Sequence, residues 1–491
     1  MALSLQADLT LINGALRPDV TVHVGGDGRI IGVDRPGDET EDEAEGNVVE
    51  IFSATSGEFA APQGRKIHRL RKRVLLPGFV NAHSHAFQRL LRGRTEFRAP
   101  GRPGDDFWSW RNAMYKVTQA LDPDELEAVT RMAMMEMLLA GYTHVVEFHY
   151  LHNQKNGQQY DDPAELSRRV LAAAESAGIG ITLLRVAYQR GGVGIAASVE
   201  QRRFTDPDLD RYARAWEATV PLVELGSRRP VQIGMAAHSV RALDKDFLEG
   251  LGRLAEEKGC VLHAHVAEQP REVEECLQEH DCRPLELLAA SGLVTERFTA
   301  VHGTYLAAEE ADLLGEAGAT VCICPTTERN LGDGLPDLQA LQSAGARLAI
   351  GSDSQVRINP FAELRGLEDG ERLRLGRRNC LAPAAGGPVA PYLLEAGSAG
   401  GARAGQLGAG SIAPGQRADL VAVDLEVPML AGVLEGRESD GALLAALVLG
   451  GDSSWVCDVW VGGRHVVEAG QLLRWPSAVE DYRKVAKRVW G

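Results

Sequence analysis

Two histidines one residue apart, His83 and His85, close an apolar run that begins at Leu75. On a strand, residues i and i+2 face the same way, so the pair can grip one ion. A lone pair of this kind also suits plain polar surface, and what gives it weight is the recurrence of such residues at the ends of later apolar segments. Glu147-Phe148-His149-Tyr150 ends one of them, and His238 with Arg241 just beyond ends another. A third carries His263 and His265, then Glu268; a fourth ends in His302, and the last in Gly351-Ser352-Asp353. Of 13 histidines, five (His83, His85, His238, His265 and His302) mark four segment ends. Three imidazoles and a carboxylate suit zinc or another divalent ion with one position open to water. Such an ion lowers the pKa of its water toward about 7. No segment ends in a lysine able to bridge two metals when carboxylated, so one ion is expected.

The elements that must position these residues alternate. Short strands are expected at 74–80, 143–148, 180–186, 231–237, 260–265, 298–302, 319–323 and 347–352. Helices lie between them. One starts at Asp122-Pro123-Asp124-Glu125, where Asp122 caps, Pro123 suits the first turn and Glu125 completes a capping box. Another, 244–258, stops at Gly259. This alternation is the pattern of a parallel α/β fold, and eight strands favour a (β/α)8 TIM barrel over an open sheet. In such a barrel the catalytic groups collect at the C-terminal strand ends, where the polar residues fall. The two ends of the chain read as strands with hairpin turns at Asn13-Gly14 and Gly25-Gly26. The expected organisation is therefore a small β-sandwich domain built from both termini (1–76 and 407–491, the latter with a terminal helix) around a barrel at 77–406. The acidic stretch 37–47 and the loop 101–104 read as insertions.

Composition narrows the partners. The chain of 491 residues is 44% hydrophobic and 24% charged, as ordinary globular proteins are. With 52 basic against 68 acidic residues its formal charge is −16, which argues against nucleic acid or an anionic membrane as partner. No apolar run reaches about 18 residues and the N-terminus has no signal-peptide pattern, so a cytoplasmic location is expected. Seven irregularly spaced cysteines argue against a disulfide framework, and Cys322 and Cys324 read as buried strand thiols.

Several segments together resemble a known family. The Pro77-Gly78-Phe79-Val80-Asn81-Ala82-His83-Ser84-His85 start, His265 with Glu268, His302 and Gly351-Ser352-Asp353 look like the amidohydrolase superfamily, in its mononuclear deaminase branch. Phe107-Trp108-Ser109-Trp110-Arg111, Glu147-Phe148-His149-Tyr150 and Asn330-Leu331-Gly332-Asp333-Gly334 resemble more narrowly the formimidoylglutamate deiminases of histidine degradation. The resemblance implies one divalent ion, zinc above others, on His83, His85, His265 and Asp353. It implies that Asp353, Glu268 and His302 handle protons and water, with Glu268 delivering a proton to the departing nitrogen. The implied substrate is a small dicarboxylate, held by Arg111 and Arg241 with Gln88, Tyr150 and His238. The resemblance also implies that Arg111 reaches in from a second subunit, making a homodimer. His263 is left as a core or supporting residue, and Arg329 adds an unassigned charge near the expected mouth. A ring-amidine deaminase, acting on guanine or an adenosine derivative, would share the metal set but not the two arginines. A barrel scaffold without catalysis would show gaps in the ligand set, and none is found.

Overall fold

A computed structural model describes residues 3–35, 67–97, 107–225, 230–435, 439–472 and 474–491. The stretches 37–47 and 101–104 lie outside them. Five strands come first: β1 (Leu3–Ile12), β2 (Ala15–Pro18), β3 (Thr21–Val24), β4 (Ile30–Asp34) and β5 (Ile67–Pro77). The barrel follows as β6 (Phe79–Ser84), β7 (Tyr142–His149), β8 (Gly180–Ala187), β9 (Val231–Ala237), β10 (Leu262–Val266), β11 (Phe298–His302), β12 (Thr320–Ile323) and β13 (Arg347–Ile350). Three more return to the first sheet: β14 (Leu420–Asp424), β15 (Val456–Val461) and β16 (Arg464–Val467).

The terminal sheet runs β16-β15-β14-β5-β1-β3-β4, with β2 paired to β1. It has its own apolar core, in which Leu5, Val22 and Leu75 from the N-terminal part meet Leu420 and Trp460 from the C-terminal part. The second sheet runs β6 to β13 in sequence order, each neighbouring pair parallel. A parallel bridge between Ser84 and Asp353 brings its two ends together. Strands β7, β8 and β10 are buried along their whole length; β8 accordingly reads as a nearly continuous apolar run, whereas β7 and β10 bury histidines and, in β7, Glu147.

One expectation shifts at Gly78. The sequence places the first barrel strand at 74–80, but residues 74–77 belong to β5 and pair with β14. The barrel strand begins only at Phe79. Gly78 makes the switch because a Cβ there would lie 2.3–2.9 Å from the side chain of Thr143. The helix Pro123–Leu139 carries the expected capping box from Asp122 and Glu125. The helix Lys245–Lys258 is capped by Asp244 and stopped by left-handed Gly259. The terminal helix Trp475–Trp490 docks on the barrel rather than on the terminal sheet: Arg131 pairs with Asp481 at 2.6 Å, and Trp490 Nε1 donates to Leu90 O. Among the described residues no helix is long and apolar enough to cross a membrane.

Candidate active site

The barrel's closure assembles the site. Asp353 N donates to His83 O and His85 N donates to Asp353 O, both at 3.0 Å, so the first and last strand ends are laced together. Asn81 adds a side-chain tie, accepting from Ser352 N at 2.9 Å and donating to Ser352 Oγ at 2.6 Å. Asp353 Oδ1 then lies 3.3 Å from both His83 Nε2 and His85 Nε2, while His265 Nε2 lies 3.2 Å from His83 Nε2. Four donors around one ion at about 2.0–2.1 Å would be separated by roughly 3.3–3.4 Å, the edge of a tetrahedron of that size. Those three spacings match such an edge, and among the described residues the imidazoles of His83, His85 and His265 lie close enough together to hold one ion, with Asp353 beside His83 and His85.

The imidazoles are prepared for that role. His85 Nδ1 faces Phe148 O at 3.0 Å and His265 Nδ1 faces His238 O at 2.9 Å. A carbonyl only accepts, so each Nδ1 carries the proton and each Nε2 presents its lone pair inward. Burial pushes His83 down to about 3 and lowers His85 and His265 as well, which keeps the rings neutral. Burial would raise the Asp353 carboxyl, but its contacts with His83 and His85 outweigh that and hold it below the usual range. Asp353 and His302 both sit in the left-handed region, at φ 46° and 71°. Backbone strain of this kind collects where the surrounding structure fixes a side chain for chemistry.

Next to this cluster stands a chain of charges. Glu268 Oε1 is 3.8 Å from His302 Nε2, and its Oε2 is 3.5 Å from Arg241 Nη2. Arg241 Nε donates to Glu272 Oε2 at 3.3 Å, and Glu272 Oε1 accepts from Ala267 N. Burial raises the Glu268 carboxyl, so it can hold a proton and give it up. Burial works against a charged His302, yet Glu268, Glu328 and Asp353 around it prevail and raise it well above the usual imidazole range.

The remaining wall of the cavity comes from Gln88, Tyr150, His238 and Arg111, together with Arg241, Glu268, His302 and Asp353. Gln88 Nε2 donates to Tyr150 Oη at 2.9 Å, leaving Gln88 Oε1 buried without a partner. His238 packs edge-on against Tyr188 with ring centres 4.7 Å apart. Arg111 stacks over Trp108 at 4.4 Å, and among the described residues its buried Nε has no hydrogen-bond partner, nor has Arg241 Nη2. The cavity opens past Arg111, Tyr115 and Arg241 into an outer chamber of about 690 Å³.

Residues 74–466 match the model of the amidohydrolase family. The chain belongs to that family. Among curated relatives it is 40% identical over 399 residues to formimidoylglutamate deiminase of Pseudomonas aeruginosa, covering 81% of this chain and 85% of that one. It is 28% identical over 391 residues to 8-oxoguanine deaminase of the same organism, covering 78% and 81%. Among solved structures, an amidohydrolase from Brucella melitensis superposes with TM-score 0.85 at 33% identity over the full length of both chains. A zinc-bound adenosine deaminase from Xanthomonas campestris shares the fold, with TM-score 0.78 at 23% identity over 99% of this chain and 98% of that one.

In this amidohydrolase the residues singled out from the sequence meet at one end of the barrel. Arg111 lines the cavity of its own chain. His263, on the strand that carries His265, gives its Nε2 to Ala404 O at 2.9 Å and stays out of the ligand cluster. Arg329 is not at the mouth of the cavity: its Nε donates to Pro325 O, and it lines an apolar recess beside Gly366 instead. Cys322 and Cys324 are buried, with free thiols. Sequence reasoning missed Tyr188, Glu272 and Glu328. Tyr188 directly follows the end of β8, so the strand-end rule that found His238 would have found it. Glu272 and Glu328 lie inside helices, where nothing local distinguishes them from solvated glutamates.

Proposed function

We propose that this amidohydrolase hydrolyses N-formimino-L-glutamate to N-formyl-L-glutamate and ammonia, a step of histidine degradation, as the name of its relative at 40% identity suggests. The observation that carries the reading is the pair of buried, unpartnered guanidinium nitrogens, Arg111 Nε and Arg241 Nη2, on a cavity shared with the ligand cluster. A buried cation lacking full hydrogen bonding is costly unless a ligand supplies the missing acceptors. Two carboxylates supply them, and guanidinium groups match carboxylates in geometry as well as charge. A purine has no carboxylate to offer either guanidinium group, and Arg241 would keep only Glu268 and Glu272 as partners.

The ion we assign to His83, His85, His265 and Asp353 is zinc, which when bound would acidify a water at the open position. The chain's own residues then do the rest. Arg111 and Arg241 hold the carboxylates and so place the formimino carbon against the ligand cluster, with Gln88, Tyr150 and His238 ordering the chain between. Asp353 accepts the proton that the attacking water loses. Glu268 carries it to the amino group of the resulting tetrahedral carbon; the remaining hydroxyl proton then passes to Asp353 as the carbonyl forms and the C–N bond breaks to release ammonia. His302 orients the water through Nε2. In this reading the enzyme works in the cytoplasm as a homodimer, with 77–406 as the catalytic unit between the two halves of the small β domain.

Metal analysis combined with ammonia release tests the proposal. Stoichiometric metal and turnover of formiminoglutamate are expected. Turnover of guanine or adenosine derivatives without formiminoglutamate would assign the chain to the ring deaminases, and protein that binds no metal would overturn a hydrolytic role.

A further inference from the structure

We infer that Glu328 is a positioning residue: from behind His302 it fixes the imidazole so that Nε2 faces Glu268 and the cavity. The two ring nitrogens of His302 point to different carboxylates, Nδ1 to Glu328 Oε1 at 3.3 Å and Nε2 to Glu268 Oε1 at 3.8 Å. A carboxylate oxygen accepts, so the Nδ1–H donates, and in the neutral ring this leaves the lone pair on Nε2. Glu328 is itself immobilised. Its Oε1 also accepts from Cys324 N at 2.8 Å, and the side chain is 3% exposed in the helix Pro325–Leu331 that follows β12. His302 needs such an anchor, because it is the last residue of β11 and sits at φ 71°, outside the strand geometry that would otherwise aim it. A histidine whose second nitrogen is held in this way keeps one tautomer and one orientation.

The competing role for Glu328 is purely local, as an acceptor for the Cys324 N–H at the start of its helix. A double-mutant cycle on the metal-loaded full chain separates the two. Glu328→Ala is expected to lower kcat about 10- to 100-fold while KM stays within about two-fold and metal content is unchanged. Glu328→Gln, which keeps an acceptor oxygen, should recover most of that loss. In a His302→Ala background, removing Glu328 should cost no further kcat, because groups that act as a unit are not additive. Wild-type kcat in metal-loaded Glu328→Ala, or the same fold-loss in both backgrounds, overturns the inference. Should Glu328→Ala not fold, Glu328→Asp withdraws the oxygen by one methylene and runs the same cycle. The inference rests on the hydrolytic reading, so a readout free of turnover accompanies it. In 15N-histidine-labelled metal-loaded protein, at a pH high enough for His302 to be neutral, the His302 signal, assigned by its loss in His302→Ala, should report the Nδ1–H tautomer, and Glu328→Ala should mix the two. An unchanged spectrum overturns the inference even where wild-type protein releases no ammonia from formiminoglutamate, a result that by itself would sink only the proposed function.

Discussion

At the level of single residues, the two arginines and Glu268 play separable parts. Glu268 touches His302 and Arg241 but is not among the four residues proposed to hold the ion. Glu268→Gln should therefore keep its metal and lose about 10²- to 10⁴-fold in kcat, the range expected for removing a general acid–base. A metal-loaded variant with full turnover would sink the mechanism. Arg111 stacks on Trp108 and Tyr115 and, among the described residues, makes no ion pair with Glu268, so its loss should act on binding alone. For Arg111→Ala, KM should rise about 10- to 100-fold, the worth of a charged hydrogen bond, with kcat little changed. Unchanged KM would remove Arg111 from the substrate site. Arg241 is different, because it also separates the buried carboxylates of Glu268 and Glu272. Arg241→Ala is expected to raise KM steeply and to lower kcat as well, since Glu268 loses its counter-charge. The sequence named both arginines as clamps; this second duty of Arg241 depends on Glu272, which is far from obvious in the chain as written.

Between elements, the decisive contact is the lacing of β6 to the end of β13. Asn81 lies two residues before the first ligand and bonds Ser352, the neighbour of the last. Ser84 Oγ donates to Glu147 Oε2 and Ala86 N to Glu147 Oε1, so β7 grips the same turn from the other side. Asn81→Ala should leave the fold intact but loosen Asp353, lowering metal affinity about 10- to 100-fold in competition with a chelator. Undiminished affinity would mean that the backbone bonds between His83 and Asp353 suffice. Strand existence was legible here because strands buried on both faces are written as short apolar runs. The start of the first barrel strand was not. Residues 74–77 and 79–80 read as one apolar run, and the approach of Gly78 to Thr143 marks where the chain passes from one sheet to the other.

At the scale of the whole molecule, buried carboxyls make stability depend on pH. Glu363 is fully buried, accepts from Thr326 N at 2.9 Å and Thr326 Oγ1 at 2.5 Å, and ties two barrel helices together. Burial raises its pKa from 4.5 to about 8. The folded state therefore holds this proton more tightly than the unfolded chain, and the contribution is complete below pH 4.5 and lost as pH rises toward 8. Each unit of separation is worth about 1.4 kcal/mol, so Tm should fall across this window in wild-type protein and fall less in Glu363→Gln. Parallel Tm profiles for the two proteins would contradict the assignment. By itself the sequence determined the barrel class, the ligand types and the chemistry they support, because strand ends announce themselves when an apolar run stops at a histidine or an aspartate. It also held the arginines, as part of segments that resemble a family. Only the tertiary structure showed that Arg329 turns away from the cavity, and that Glu272 and Glu328 stand behind Arg241 and His302. The reason is physical: a ligand at a strand end is fixed by local geometry, whereas the partner of a helical side chain depends on packing between elements far apart in the chain.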